Sequence, residues 1–453
     1  MFLAPYGKNV VALPRRIGQQ HGVIVGGSGT GKSRGYFLPN AAYSVKASLV
    51  CTDPKSELWN YTSGLHRQAT RYAPSEPEKS ACFNWIPLCR DARIAELCAR
   101  AIVEAGNTQR TEQAWIDTET AFLSALFSHA STLSEPTPLT AYRLFTRQRP
   151  EALLRQLLTS TSEAAQEQAI IFEQSDRRMR GAIVPVLAAK LQFLRDPALA
   201  RFTSAQLEPP NFQTLRERPE ALYWCLREQD IARLRPLTSL FFTLLLEQMT
   251  EDDSAGPPAI PVICLLDEFG NLGVLPQFET TIAVARSRGI SLWLGLQGLS
   301  QLEAGYGAAG AKTILANCAT KIALSGLDVE SADYFSRSLG LATVVTRRRA
   351  WHLPGLVALP RSHTQSQSEN ARPLLTSDEV RRLGGEEAIV IVGNRRPMRL
   401  PKAFYAEKPT AAPTTELGEA RAMTVVVSTK LEEKEEGPPP FPDELREALR
   451  FVR

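Results

Sequence analysis

The feature that most constrains the fold of this sequence is a glycine-rich octapeptide, Gly26–Ser33, which reads GGSGTGKS. It matches the pattern GxxxxGK[ST] without a mismatch. A buried-strand pattern, His21–Val25, precedes it, and a segment of helix length, Lys32–Ser44, follows. A second apolar run, Ala47–Thr52, completes the order strand, loop, helix, strand, which is the βαβ unit of a parallel sheet. These residues predict an α/β fold built around a phosphate-binding loop (P-loop).

The chemistry of this loop follows from its residue types. Glycine lets successive backbone N–H groups turn towards phosphate oxygens, and the following helix adds the positive end of its dipole. Lys32 is expected to reach the β- and γ-phosphates, and Ser33 to ligate Mg²⁺. The sequence therefore predicts a site for ATP with Mg²⁺, and its nucleotide-binding residues are Gly26, Gly27, Ser28, Gly29, Thr30, Gly31, Lys32 and Ser33.

A second apolar strand pattern, Val262–Leu266, ends in two carboxylates. Asp267 is placed to hold Mg²⁺ through its water shell, and Glu268 to polarise the water that attacks the γ-phosphate. Apolar strands that end in an acidic pair are common, so a surface carboxylate at a strand end is the alternative for Glu268. Because a P-loop precedes this acidic pair in the chain, the pair favours a role in Mg²⁺ binding and ATP hydrolysis.

Two further candidates flank the next strand pattern, Ser291–Leu296. Gln297 ends this strand, where an amide can contact both the γ-phosphate and the attacking water; a polar residue that simply ends a strand is the alternative. Arg286 and Arg288 precede the strand, and phosphoryl transfer often uses an arginine from a neighbouring subunit. A solvated basic turn accounts for these two arginines equally well.

Composition divides the chain into four parts. Residues 1–90 are predicted to form the first part of a nucleotide-binding domain. Residues 91–205 are rich in alanine, leucine, glutamate, glutamine and arginine, with apolar residues at helical spacing, and predict an all-α insertion. Residues 206–405 resume the α/β pattern. Residues 406–453 are rich in proline, glutamate and lysine, which is typical of a flexible tail.

Two polar segments allow more than one interpretation. Asp53-Pro54-Lys55-Ser56-Glu57 follows the second strand pattern near the expected P-loop. Its charges could face a nucleotide or a neighbouring subunit, but a capped turn that opens a helix explains them as well. Arg347, Arg348, Arg349 and the Ser/Gln/His stretch through Asn370 predict an exposed loop, with contact to a phosphate backbone as the alternative.

The overall composition narrows the class of protein. A formal net charge of +4 over 453 residues is compatible with nucleic-acid handling but does not indicate it. Seven scattered cysteines, with no CxxC pair, predict reduced thiols and no structural metal site. No apolar run approaches the ~20 residues needed to cross a bilayer. We therefore expect a cytoplasmic protein.

Taken in order, the motifs GGSGTGKS, DPKSE, LLDEFGNLG, ARSRGI, LGLQGLSQLEAGYG, ILANC and RPLLTSDEVRRL resemble the type IV coupling proteins of conjugation and type IV secretion, the TraG/TraD-type ATPases. The similarity runs from about residue 18 to residue 405. It implies a RecA-like nucleotide-binding domain with a mostly parallel sheet, interrupted by an all-α domain. It also implies a homo-hexamer that couples ATP hydrolysis to transfer of DNA, a relaxase–DNA complex or a protein substrate, with type IV secretion channel components as partners.

The resemblance assigns roles residue by residue. Lys32, Ser33, Asp267 and Glu268 fill the nucleotide site, and Gln297 matches the position after the next strand. Arg286 is a better match than Arg288 to the arginine presented to the neighbouring subunit's nucleotide.

Family members usually begin with transmembrane helices, whereas only one short strand is expected before Gly26. Three explanations stay open for this difference: a separate membrane-anchor subunit that holds the chain at the inner face of the cell membrane, a soluble variant of the family, or a chain that is truncated at its start. Two alternatives stay open: a DNA pump of the FtsK/HerA type, and a nucleotide-gated adaptor that recruits a relaxase with little hydrolysis.

Overall fold

A nine-stranded, mostly parallel sheet organises the chain in the computed structural model, which describes residues 1–6, 9–13, 18, 20–105, 113–250, 260–351 and 363–402. The described strands, numbered along the chain, are β1 (Phe2–Tyr6), β2 (Asn9–Ala12), β3 (His21–Val25), β4 (Ser48–Thr52), β5 (Ala69–Tyr72), β6 (Ala221–Trp224), β7 (Val262–Leu266), β8 (Ile290–Leu296), β9 (Cys318–Ala323), β10 (Leu341–Trp351), β11 (His363–Pro373), β12 (Glu387–Val392) and β13 (Met398–Pro401).

The order of strands across the large sheet is β13-β12-β9-β3-β8-β7-β4-β6-β5. All neighbours from β9 to β5 are parallel, and β12 and β13 add an antiparallel edge. The carboxyl ends of β3, β8, β7 and β4 therefore meet along one side of the sheet, which we call the carboxyl edge, opposite the amino edge. Ligands of open parallel sheets bind at the carboxyl edge.

The central strands are buried on both faces, which explains their continuous apolar sequences. Val23 and Val25 of β3 join one hydrophobic cluster, and Ile24 between them joins a second cluster on the other face. The same alternation separates Leu265 of β7 from its neighbours Cys264 and Leu266. The sheet is therefore the middle layer of a three-layer arrangement.

Helices cover both faces of the sheet. They comprise a π-helical turn at Ser33–Phe37 and the α-helices Leu38–Tyr43, Glu57–Thr62, Ala92–Glu104, Gln113–Ala130, Pro138–Arg147, Pro150–Leu158, Glu163–Gln174, Arg177–Lys190, Pro197–Ser204, Thr214–Glu217, Arg235–Thr250, Phe278–Ala285, Ser300–Asn317, Val329–Leu339 and Ser377–Arg381. Short 3₁₀ turns lie at Ser63–Leu65, Pro77–Lys79, Ile86–Arg90, Gln192–Arg195, Glu228–Asp230 and Phe269–Asn271.

The chain between β5 and β6 is helical: its described residues from 92 to 204 contain helices and no strand. Helix Gln113–Ala130 packs against helices Ala92–Glu104 and Glu163–Gln174. Its Phe122 ring lies 4.6 Å from the Phe172 ring, centroid to centroid. Helix Ala92–Glu104 also contacts helix Arg235–Thr250. The core of this helical segment is therefore continuous with one face of the sheet.

Three expectations about local structure differ from what is observed. Two strands, β1 and β2, precede β3, so three strands lie before Gly26 instead of the one that was expected. The helix after the P-loop begins with a π-helical turn, Ser33–Phe37, before it becomes α-helical. The prediction of an exposed loop from Arg347 to Asn370 was wrong for its described parts, because β10 and β11 pair over 11 residues each.

The physical reason for the last error is composition. The residues of β11 are mostly polar, which suggests a loop, whereas the β-branched residues of β10 favour a strand. The sequence of β10 could have signalled the ribbon. Residues 352–362 and the predicted tail, 406–453, lie outside the described residues.

Among the described residues, no helix combines the length and the apolar character that a membrane span requires.

Candidate nucleotide site

The P-loop follows β3 directly, at the carboxyl edge and between the ends of β8 and β9. Gly29 and Gly31 have φ angles of 75° and 89°, a region that favours glycine. A Cβ atom on Gly26 would come within 2.7 Å of the Leu324 Cβ, and one on Gly27 within 2.9 Å of the Gly326 carbonyl oxygen. The glycines are therefore required by the backbone conformation and by close packing against the segment after β9.

Lys32 lies at the bottom of the loop and is only 5% exposed. Its ammonium donates to the carbonyl oxygens of Gly26 at 2.8 Å and Gly27 at 3.2 Å. The same nitrogen lies 3.7 Å from Glu268 Oε1. The arrangement brings the cation of the P-loop to the acidic end of β7.

Ser33 and Asp267 are in direct contact, because the Ser33 hydroxyl donates to Asp267 Oδ2. The Thr52 hydroxyl donates to the Asp267 carbonyl oxygen at 2.7 Å, which ties the ends of the neighbouring strands β4 and β7 together. Burial raises the pKa of Asp267 to about 6, against the opposing effect of the Ser33 hydrogen bond. These two residues present hydroxyl and carboxylate oxygens, the donors that Mg²⁺ prefers.

Gly295 of β8 is a site residue that sequence reasoning missed. A Cβ atom there would lie 2.8 Å from the Phe37 ring and 3.0 Å from Asp267 Oδ1. Since β8 lies between β3 and β7, a side chain at this position would push the Asp267 carboxylate away. Glycine inside a buried strand was the available signal, because it often marks a close approach of another group.

Glu268 bridges two other candidates. Its Oε2 accepts a hydrogen bond from Gln297 Nε2 at 2.9 Å, while its Oε1 faces Lys32. The backbone of Glu268 has a φ of 54°, a left-handed conformation that costs energy in a residue with a side chain. The turn aims the carboxylate across the end of β8, where Gln297 begins the next loop.

Aromatic packing supports this turn. Phe269 stacks on Tyr306 with ring centroids 6.2 Å apart and an interplanar angle of 11°. The Tyr306 hydroxyl accepts a hydrogen bond from the Leu275 backbone N–H at 3.1 Å. The segment after Glu268 is thereby packed against the helix after Gln297.

A cavity of about 570 Å³ opens above these residues, within the size range of small-molecule sites. P-loop residues, Asp267, Glu268 and Gln297 line one side, and the Asp53–Glu57 segment lines the other. Asp53 is 1% exposed, and its Oδ2 accepts a hydrogen bond from the Trp59 backbone N–H at 2.8 Å. The segment therefore both caps helix Glu57–Thr62 and lines the cavity. A contact of its charges with a nucleotide stays a prediction.

Arg286 lies away from the cavity, at the opposite edge of the sheet. It ends helix Phe278–Ala285, is exposed, and precedes the amino end of β8. Gln297 follows the carboxyl end of the same strand, and seven residues of β-strand span about 20 Å. Arg286 cannot reach the cavity of its own chain.

The residues at the cavity fit ATP and Mg²⁺. The glycine cradle admits no Cβ atoms at Gly26 or Gly27, the Lys32 ammonium is buried, and a serine hydroxyl meets a buried carboxylate. Phosphate oxygens can be bound by the glycine-rich loop and the Lys32 ammonium. A divalent cation can be bound by the hydroxyl oxygen of Ser33 and the carboxylate oxygen of Asp267. With its P-loop strand and acidic strand separated by one strand, the sheet has the layout of a P-loop NTPase.

A family model described as Type IV secretory system Conjugative DNA transfer matches residues 6–433. The chain belongs to this family. The resemblance of the ordered motifs to type IV coupling proteins is thereby confirmed.

Relatives in this family share about a quarter of their residues with the chain. Protein VirD4 of Rhizobium rhizogenes is 24% identical over 403 residues, which cover 85% of this chain and 58% of that protein. Conjugal transfer protein TraG of Escherichia coli is 26% identical over 403 residues, which cover 82% of this chain and 63% of that protein. The chain spans less than two thirds of the length of these relatives.

Solved structures share the fold. The unbound conjugative coupling protein TrwBΔN70 superposes with a TM-score of 0.71 at 19% identity, covering 90% of this chain and 91% of that one. TrwB in complex with ADP and Mg²⁺ gives a TM-score of 0.70 at 19% identity, covering 90% and 92%. The predicted fold class, a RecA-like P-loop domain with a mostly parallel sheet and an all-α interruption, is confirmed.

Proposed function

We propose that this chain is an ATP-driven motor of conjugative DNA transfer, which couples ATP hydrolysis to movement of DNA or of a relaxase–DNA complex towards a type IV secretion channel. The observation that carries the proposal is the convergence of Lys32, Ser33, Asp267, Glu268 and Gln297 at one cavity of a chain from this family. Binding alone would require the first three residues, whereas the last two suit hydrolysis.

The proposed mechanism assigns each side chain one task. Gly26–Ser33 binds the phosphates through backbone N–H groups, and Lys32 neutralises charge on the β- and γ-phosphates. Ser33 and Asp267 hold Mg²⁺, which supplies further charge neutralisation. Glu268 accepts the proton of the attacking water, and Gln297, within hydrogen-bond distance of Glu268, orients that water.

Arg286 completes the site from a neighbouring subunit. It is exposed and about 20 Å from the cavity of its own chain, so we propose that a ring, a homo-hexamer, presents it to the next subunit's γ-phosphate. An arginine there would stabilise charge that develops during phosphoryl transfer. This arrangement makes hydrolysis depend on assembly.

The partners belong to the proposal as well. The family is described by type IV secretion and conjugative DNA transfer, and its TraG relative is named a conjugal transfer protein. These names support DNA, a relaxase–DNA complex or a protein substrate as cargo and channel components as partners. We further propose that the chain acts at the inner face of the cell membrane through a separate anchor subunit. Domain limits of 1–90, 91–205 and 206–405, with the helical part facing the cargo, complete the proposed organisation.

DNA-stimulated ATP hydrolysis tests this function. Phosphate release by the purified chain should rise when single- or double-stranded DNA is added at low salt, and the stimulation should fall as salt rises. Lys32→Ala should remove both basal and stimulated turnover and serves as the control. A rate that DNA leaves unchanged under all these conditions would contradict the motor. If relaxase binding then survives Glu268→Gln, the adaptor alternative would replace it.

A further inference from the structure

Lys402 connects the far edge of the sheet to the P-loop. Its ammonium donates to the Thr30 carbonyl oxygen at 2.7 Å, across 372 residues of sequence. The residue follows β13, which pairs antiparallel with β12 so that Pro401 lies opposite Glu387 at the carboxyl edge. Its own backbone N–H donates to the Glu386 carbonyl oxygen at 2.7 Å. Hydrogen bonds therefore hold both the backbone N–H and the side-chain ammonium of Lys402.

The Lys402 side chain is buried beside the loop without a close acidic partner. The residue is 5% exposed, and no carboxylate of the described residues lies within ion-pair distance of it. Burial lowers the pKa of Lys402, and the charge of Glu386 opposes that change. A buried cation is costly unless it gains strong hydrogen bonds. The contact to Thr30 is thus the main described interaction of the ammonium.

The position of this contact has a chemical consequence. The Thr30 carbonyl and the Gly31 N–H belong to one peptide group, and a cation at the oxygen polarises the whole group. The Gly31 N–H becomes a stronger donor as a result. In a P-loop these N–H groups surround the phosphates. The Thr30 hydroxyl also donates to the Gly27 carbonyl oxygen at 2.8 Å, so the contact holds the loop in shape.

We propose that Lys402 is a positioning residue for the nucleotide phosphates, which it reaches indirectly by fixing and polarising the Thr30–Gly31 peptide group. The inference rests on nucleotide binding at the proposed site. It makes the end of β13 part of the nucleotide site, although Lys402 itself is not among the residues that line the cavity.

Lys321 provides a matched control within the same sheet. Its ammonium also donates to a backbone carbonyl, that of Cys318 at 2.6 Å, and burial lowers its pKa as well. This contact lies at the amino end of β9, away from the P-loop. Replacing either lysine with methionine removes one positive charge and one hydrogen bond to a backbone carbonyl, but only Lys402 touches the loop.

The experiment measures the affinity of the full chain for Mg·ADP and the steady-state kinetics of ATP hydrolysis. Lys402→Met should weaken Mg·ADP binding about 10-fold, the usual effect of losing a hydrogen bond to a charged group. KM for ATP should rise by a similar factor, with kcat unchanged, because the lost interaction is present in ground and transition states alike. Lys402→Arg, which keeps the charge and donors, should recover most of the affinity.

Lys321→Met should bind Mg·ADP like the wild type, since a structural loss alone would not change nucleotide affinity. Equal affinities for wild type and Lys402→Met, or an equal loss in Lys321→Met, would overturn the inference. Should Lys402→Met fail to fold, Lys402→Gln replaces it. Wild-type Mg·ADP affinity in Lys402→Gln would also overturn the inference. Lys32→Ala separates the two proposals: if it binds Mg·ADP as well as wild type, the nucleotide site itself is wrong.

Discussion

The two edges of the large sheet carry functional side chains of opposite character. At the carboxyl edge, Lys32, Asp53 and Asp267 are 5%, 1% and 3% exposed and surround a cavity. At the amino edge, Arg286 is exposed on a turn beyond the start of β8. One chain can hold buried charges in place because its own packing fixes them. We propose that a neighbouring copy of the chain holds the exposed Arg286 in place.

This difference suggests which part of nucleotide binding and hydrolysis each edge would serve in the proposed ring. In the proposed function, the carboxyl edge supplies what nucleotide binding requires within a single chain. The amino edge is proposed to supply a charge, that of Arg286, to another copy. Hydrolysis that required both edges would be silent in isolated subunits, which would prevent idle consumption of ATP.

The largest effect is expected at the amino edge. Arg286→Ala should lower turnover about 10³-fold in the assembled state, the usual contribution of an arginine supplied by a neighbour. Mg·ADP affinity should change little, because the side chain lies far from its own cavity. Steady-state phosphate release at protein concentrations that favour assembly measures the effect.

Subunit mixing makes this prediction specific. Arg286→Ala subunits keep an intact cavity, and Lys32→Ala subunits keep an intact arginine, so mixtures should regain part of the activity that neither has alone. Arg288→Ala, in the same turn, is the matched control and should retain most of the activity. Absence of rescue at every mixing ratio would show that the edges do not cooperate between chains.

At the carboxyl edge, Glu268→Gln should lower turnover roughly 10²- to 10³-fold, since the amide cannot accept the proton of the attacking water. The amide preserves the size of the side chain and one acceptor for Gln297. Mg·ATP affinity should therefore stay within a few-fold of wild type, as judged by equilibrium binding. Glu303→Gln, an exposed residue in the first turn of the next helix, is the control. A variant with normal turnover would remove Glu268 from the mechanism.

The two edges also differ in how far the sequence predicts them. Strand β7 was predicted with its observed limits, and β8 within one residue, because strands buried on both faces have continuous apolar sequences. The side chains that end these strands then had to meet, since the strands are parallel neighbours. The residues that meet at the carboxyl edge could therefore be predicted from local sequence motifs.

Other contacts depend on the fold and have no local signature. Lys402 reaches Thr30 only because β12 and β13 add to the sheet beyond β9, and nothing in the sequence around it distinguishes it from other lysines. The ribbon of β10 and β11 was missed because its polar residues resemble a loop. For Arg286, the sequence favours a role over a solvated basic turn only through family resemblance, since its proposed partner site lies in another copy of the chain.

The smallest effect concerns the electrostatics of the carboxyl edge. Burial raises the pKa of Asp53 from 3.8 to about 6, and its Oδ1 has no hydrogen-bond partner among the described residues. The folded state therefore holds a proton on Asp53 that the unfolded state releases between about pH 4 and pH 6. The stabilisation from this group is complete below pH 4, and it decreases as pH rises to about 6.

Asp53→Asn isolates this contribution, because an amide keeps the shape but does not titrate. Relative to the variant, the wild type should lose about 2 kcal/mol of unfolding free energy between pH 4 and pH 7. Denaturant unfolding at a series of pH values measures the difference. Asp378→Asn, at a carboxylate whose side chain is 74% exposed, is the control and should preserve the wild-type slope. If Asp53→Asn follows the wild-type slope too, Asp53 is ionised at the same pH in both states, and the carboxyl edge is better solvated than its burial indicates.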